Sequence, residues 1–277
     1  SFTQAVFQLG GNAGTALAPL LVIMVVFTKK IVDGQLVEES HLERLVWFIL
    51  FPALAIVILL FIGAWRKKLL KQAQTLKKRE IPLPDLTHAQ VRNSVIILMF
   101  LVFSKNFYTA GISNYFQFYT IKTFGFTNAE AQLYLFYYLG AAAAGTLIGG
   151  FFGDKVGRKF IIWFSILGAA PFALWLPYAD AKTTAVLVVL IGFIISSAFA
   201  SILVYAQELL PKKIGMISGV FYGFAFGMAG LGSAVLGKLI DMTSITFVYK
   251  VCSFLPLMGL IAYFLPNLRK VKTKLSE

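Results

Sequence analysis

Charge is scarce in this chain of 277 residues, and negative charge is scarcest, with 12 Asp and Glu against 25 Lys and Arg. Charged residues total 13%, about half the roughly 25% usual for a soluble domain. Cysteine occurs once, at Cys252, which excludes an internal disulfide and every multi-cysteine metal site. The two histidines, His41 and His88, are too far apart in sequence to form a local metal pair. H-E-x-x-H, G-x-S-x-G and P-loop motifs are all absent, as are paired carboxylates inside an apolar segment. The expectation is therefore no enzyme, no catalytic residue, no metal and no cofactor. Strand-like alternation is also absent, which argues against a membrane barrel.

Apolar residues are what the chain has: 58% are hydrophobic and the mean hydropathy is +0.80. A soluble globule has no interior large enough for them. A bilayer-spanning helix needs about 20 mostly apolar residues, and eight such segments are present, at 3–27, 45–65, 93–118, 130–152, 160–178, 184–207, 214–238 and 246–266. They are too long and too many to be a cleavable signal. The fold class is an all-α polytopic membrane protein.

The net charge of +13 suggests nucleic acid only until its placement is considered. The 66–92 connection, the 155–159 turn, Lys212-Lys213 and the segment after 268 hold 17 of the 25 basic residues. All four fall on one side of the membrane, which the positive-inside rule makes cytoplasmic, together with the C-terminus. The 66–92 connection, polar and containing Pro82 and Pro84, is the best domain boundary.

The turn between spans four and five reads Gly150-Phe-Phe-Gly153-Asp154-Lys155-Val156-Gly157-Arg158-Lys159. Glycines four apart let a helix end pack closely and then turn. Asp154 can cap or counter a helix N-terminus, and Arg158 and Lys159 can pair with it. The whole pattern resembles the signature loop of the major facilitator superfamily, which in that family joins the second and third helices of each six-helix half. Gly10-Gly-Asn-Ala-Gly14 before Pro19, Phe103-Ser-Lys105-Asn-Phe-Tyr108, Val204-Tyr-Ala-Gln-Glu208-Leu-Leu-Pro211 and Phe221-Tyr-Gly-Phe-Ala-Phe-Gly227 carry a closer resemblance, to the fosmidomycin resistance protein family of bacterial drug exporters.

That resemblance implies a major facilitator-type bundle of which this chain holds eight of twelve helices, with four more upstream of residue 1. Residues 1–65 would be the last two helices of the N-terminal half and 66–92 the central cytoplasmic loop. Residues 93–268 would be the complete C-terminal half and 269–277 a cytoplasmic tail. It further implies a bacterial inner-membrane carrier that acts as a monomer and exchanges drug for protons, with no nucleic-acid partner.

Three groups of residues are candidates for function. Lys105 stands about 18 Å into span three at 1.5 Å per residue, where a charge costs at least about 2.5–3.5 kcal/mol. It needs water, carbonyls, an acid or an anionic ligand. Asn106, Tyr108, Asn114 and Gln117 on the same span, with Tyr138 and Ser201 on others, complete a candidate substrate cavity, and the phosphonate-bearing drug that the resemblance implies would suit the ammonium. Gly150, Asp154, Gly157, Arg158, Lys159 and Glu208 form a candidate cytoplasmic gate, Glu208 pairing locally or with Arg158. Gly10, Gly14 and Pro19 in span one, and Gly219, Gly223 and Gly227 in span seven, form stripes for close packing or for sliding contact. The stripe in span one departs from the antiporter pattern, because Thr15 follows Gly14 where proline is expected.

The function expected is secondary transport, most simply proton-coupled efflux of a small anionic or amphipathic drug by alternating access. An uptake symporter for a small organic anion or sugar, or a non-transporting membrane scaffold, remain alternatives. No carboxylate lies near the centre of a span, so a proton-carrying acid is expected outside this sequence.

Overall fold

A computed structural model describes residues 2–32, 35–73 and 86–268. Among these, eight helical spans are long and apolar enough to cross a bilayer: Phe2–Val26, Leu42–Lys67, His88–Phe124, Asn128–Lys155, Arg158–Tyr178, Ala181–Leu209, Pro211–Met242 and Ile245–Phe264. Each coincides with a segment expected from the sequence. The expected tail at 269–277, and residues 74–85 of the basic connection, lie outside the described residues.

Local chemistry sets the helix ends. Helix α3 (His88–Phe124) begins with a capping box in which Gln90 and Thr87 satisfy one another's backbone amides, and it stops at Gly125 in the left-handed conformation (φ +68°). Helix α4 (Asn128–Lys155) starts with a second box, Thr127 with Glu130. Glu130 is thereby committed to a helix start. Gly157, at φ +116°, precedes α5 (Arg158–Leu167), in a backbone conformation that side chains with a Cβ rarely adopt.

Three spans are broken, two of them beside a proline. Gly168 and Pro171 separate α5 from α6 (Ala170–Trp175). The span after that divides at Ser197-Ala198 into α7 (Ala181–Ser196) and α8 (Phe199–Leu209). The final span passes from α10 (Ile245–Cys252) into a 3₁₀ segment, Leu255–Phe264, with Pro256 at its start. Between them runs α9 (Ile214–Met242), which stays unbroken through its glycines.

The chain forms two compact units, residues 1–20 with 83–277, and residues 21–82. This division differs from a cut at 66–92, because the first part of α1 (Phe2–Val26) bonds to two helices of the larger unit. Asn12 Nδ2 donates to Thr146 Oγ1 of α4 at 2.8 Å, and Gln4 Nε2 to the Tyr222 hydroxyl of α9 at 2.6 Å.

The smaller unit holds an antiparallel hairpin, β1 (Phe27–Val32) and β2 (Gln35–Ser40), in which Val32 pairs with Gln35. The sequence reading leaves this stretch as a connection. Its signal was Asp33-Gly34 between two runs, the dipeptide of a two-residue hairpin turn. Helix α2 (Leu50–Ala73) follows, its apolar side chains exposed at Phe51, Leu54, Val57 and Phe61, as hydrocarbon-facing residues are.

In the larger unit α4 lies against α7 at backbone contact distance. A Cβ placed on Gly145 would overlap the Phe193 carbonyl, one on Gly149 the Ser197 backbone, and one on Gly192 the Tyr138 carbonyl. Helix α3 packs on α9, with Phe107 against Gly232, Leu236 against Gly111, and the Tyr115 hydroxyl donating to the Ser233 carbonyl at 2.6 Å. Gly149→Val should force α4 and α7 apart, at a cost of about 1–3 kcal/mol or more. A lowered melting temperature and a smaller monodisperse fraction in detergent are the expected readouts, and an unchanged profile would refute the contact.

Candidate functional site

The end of α4, the start of α5 and the end of α8 meet in a charge cluster. The Arg158 guanidinium donates to Asp154 Oδ1 at 3.3 Å and also bonds Glu208 Oε2. All three charges sit at the unfavourable ends of their helices, Asp154 in the last turn of α4 included. Arg158 opens α5, where the dipole is positive, and Glu208 is in the last turn of α8, where it is negative. Each charge offsets the other's penalty, so the pair is held by mutual need.

A cavity of about 210 Å³ opens beside the cluster, lined by Gly153, Asp154, Arg158, Tyr205, Glu208 and Asn267 among others. Tyr205 anchors its far wall by donating to the Pro266 carbonyl at 2.6 Å. Lys159 lines it as well. Its ammonium donates to the Tyr263 carbonyl at 2.8 Å and lies 5.6 Å from that ring's centroid. Of the six expected gate residues, Asp154, Gly157, Arg158, Lys159 and Glu208 line this cavity. Gly150 is buried within α4, one turn away.

The seven residues expected to line a substrate cavity do not gather into one. Lys105 is 7% exposed, with its ammonium 5.1 Å from the centroid of Phe199. Among the described residues no carboxylate forms an ion pair with it. Asn106 turns back to the Val102 carbonyl at 2.8 Å. Asn114, exposed, donates to Ser233 Oγ at 2.6 Å, and Gln117 accepts from Gln132 at 2.7 Å.

Tyr108 and Tyr138 are buried in the apolar cluster shared by α3, α4 and α10, and Ser201 is wholly buried in α8. These three differ from expectation because their backbone positions face the interior of the larger unit. Tyr108 instead contributes to a cleft of about 10 Å³, too small for a ligand.

The glycine stripes also differ from expectation. A Cβ on Gly10, Gly14, Gly219, Gly223 or Gly227 would meet nothing within 4 Å, whereas Gly145, Gly149 and Gly192 are in tight contact. Glycine spacing in the sequence does not distinguish a face that packs from one that does not. Pro19 lies inside α1 without ending it.

Residues that were not anticipated include Gln4, Gln8, Tyr222 and Phe199. Tyr222 accepts from Gln4 at 2.6 Å and from Gln8 at 3.3 Å, and its ring lies 5.6 Å from Phe199. The four-residue spacing of Gln4 and Gln8 was the available signal, since it places both amides on one helical face.

Eight apolar spans, a basic turn with a left-handed glycine and an ionic bridge between helix ends define a multi-pass membrane protein with a polar junction at one end. The chain belongs to the Major Facilitator Superfamily of membrane transporters, whose sequence profile matches residues 1–233. It is 52% identical over 270 residues to the fosmidomycin resistance protein of Escherichia coli K12, covering 96% of this chain and 63% of that protein. It is 36% identical over 272 residues to the uncharacterized MFS-type transporter YfnC of Bacillus subtilis, covering 97% of this chain and 64% of that protein. A cis,cis-muconate transport protein of Acinetobacter baylyi matches 82% of this chain and 54% of its own length at 25% identity. The chain thus spans less than two thirds of the length of these relatives.

A double-mutant cycle should find stronger coupling for Arg158–Glu208 than for Arg158–Asp154. Glu208's side chain is 20% exposed and Asp154's 40%, and solvent screens the second pair down to about 0.2–1 kcal/mol. Thermal unfolding of Arg158→Gln, Glu208→Gln, Asp154→Asn and the paired variants measures both terms; equal couplings would contradict the geometry.

Proposed function

We propose that the protein is a secondary transporter that exports a small anionic or amphipathic compound in exchange for protons by alternating access. It sits in a bacterial inner membrane with its basic connections and C-terminus cytoplasmic, and works as a monomer. Residues 93–268 serve as one six-helix half, and residues 1–65 as the last two helices of the other. Superfamily membership supports the transport class, and similarity to a resistance protein supports efflux.

The single observation that carries the mechanism is the Arg158 bridge from Asp154 to Glu208. It ties the α4–α5 turn to the end of α8, at the side assigned to the cytoplasm. A contact made of charges at unfavourable helix ends is strong while closed and releases into water when the ends separate. That suits a gate that closes the inner side during each cycle. All the acids among the described residues lie at span ends or in connections, so the proton is carried by a group outside them.

The complete protein in everted membrane vesicles tests this reading. Accumulation of an anionic drug should require a proton gradient and collapse with an uncoupler. Arg158→Gln and Asp154→Asn should each lower the initial rate about tenfold, the equivalent of about 1.4 kcal/mol, at unchanged membrane abundance. Normal rates in both variants would remove the gate, and uphill movement in the opposite direction would favour uptake by symport.

A further inference from the structure

Lys159 lines a second cavity besides the one at Arg158. This cavity, of about 270 Å³, lies between the start of α5 and the end of the final span. Its walls include Lys159, Phe160, Trp163 and Tyr263. The Arg158 cavity has two carboxylates in its walls, Asp154 and Glu208. Neither lines the second cavity, where Lys159 is the formal charge among the described residues.

A lysine ammonium carries three donors. Among the described residues that of Lys159 uses one, toward the Tyr263 carbonyl at 2.8 Å, and forms no ion pair with a carboxylate. The Tyr263 ring, 5.6 Å from the ammonium, adds only a cation–π attraction. The remaining N–H groups are free to meet an anion.

The surroundings change from polar to apolar along α5. Lys159 follows the turn that joins α4 to α5, so it stands at the end of its span, at headgroup depth. Phe160, Trp163 and Phe164 fall on one face of α5 and are all exposed, with the two phenylalanine rings stacked at 6.2 Å. Tyr263 is exposed on the final span. Tryptophan and tyrosine gather where lipid headgroups meet hydrocarbon, since one end of each ring is polar and the rest apolar.

Charge and apolarity together select the occupant. A soluble anion gains nothing from the aromatic strip. A zwitterionic lipid brings its own ammonium, which meets Lys159 and finds no carboxylate in this cavity. We infer that the cavity holds one anionic diacyl phospholipid, of phosphatidylglycerol type, from the adjoining leaflet. Its phosphate accepts from Lys159, the Trp163 N–H and Tyr263 hydroxyl serve its ester oxygens, and an acyl chain follows Phe160 and Phe164. The lipid thereby links α5 to the final span, which touch further along, where a Cβ on Gly259 would overlap the Leu167 amide. This site depends on membrane insertion and on neither cargo nor coupling ion.

Native mass spectrometry of the complete protein, stripped of lipid in detergent and offered equimolar phosphatidylglycerol and phosphatidylethanolamine, tests it. One phosphatidylglycerol should be retained about fivefold over phosphatidylethanolamine, the equivalent of about 1 kcal/mol, near the effect of one lysine at an anionic surface. Lys159→Gln should remove the preference, and Lys159→Arg should keep part of it. Trp163→Ala should lower phosphatidylglycerol retention about threefold with the charge intact, as the loss of a packed wall would. Lys122→Gln, in the last turn of α3 at the opposite end of the spans, should leave the preference as it is. Glycerophosphoglycerol, the same headgroup without acyl chains, should not displace the lipid even in large excess.

Equal retention of the two lipids, a preference that survives Lys159→Gln, or an equal loss in Lys122→Gln would each overturn the site. Displacement by the soluble headgroup would overturn it in favour of a free-phosphate site. Should Lys159→Gln not be recovered folded, Trp163→Ala decides, and undiminished retention there rejects the lipid.

Discussion

Hydrocarbon offers no hydrogen bonds, so every polar group inside a span must find a partner within the protein. Several of the buried hydroxyls solve this locally, while those of Tyr108, Tyr119, Tyr138, Ser165, Thr184 and Ser201 have no hydrogen-bond partner among the described residues. Ser94 donates to the Gln90 carbonyl at 2.7 Å and Thr120 to the Phe116 carbonyl at 3.1 Å, each one turn back along its own helix. Others use carbonyls near the helix breaks: Ser104 donates to Leu255 at 2.6 Å, and Ser197 to Ile194 at 2.7 Å. Charge obeys the same constraint by moving to the ends. Asp154, Arg158 and Glu208 meet where spans terminate, and Lys105 is the buried exception.

Packing in the larger unit follows from what is absent at three positions. Glycine at 145, 149 and 192 lets α4 and α7 touch through their backbones, an approach that maximises dispersion contact where the hydrophobic effect gives no drive between helices. The break at Ser197-Ala198 lies against Gly149, so the chain leaves its straight course at the tightest contact. Thr146 works on both sides of this junction. It accepts from Asn12 of α1 at 2.8 Å and donates to the Ser196 carbonyl at 3.3 Å. Helix α8 is thereby fixed at one end by backbone packing and at the other by the Arg158 bridge.

Much of the fold was legible because a bilayer imposes a one-dimensional rule. Length and apolarity located all eight spans, and Gly157 and the following Arg158 marked the turn that the structure builds. The Asp154–Arg158 pair was legible for the same local reason, four residues of separation across a turn. Glu208 was anticipated as a partner only because it falls at the end of its span next to the basic turn. The hairpin at 27–40 was passed over, since a short two-stranded element carries too few residues to show a period against a polar background.

The sequence by itself determined the class, the span boundaries and the helix caps, because each depends on residues within about one or two helical turns or on a sum over a segment. Tertiary structure decided which glycines pack, which tyrosines point inward and what covers Lys105. The glycines at 10, 14, 219, 223 and 227 have the same spacing as those at 145 and 149, yet only the latter meet another backbone. The facing of a helix depends on its rotation against neighbours far away in sequence, and spacing along one chain carries no information about that angle. Phe199 reaches Lys105, and Gln8 reaches Tyr222, only because four separate helices are rotated to bring them together.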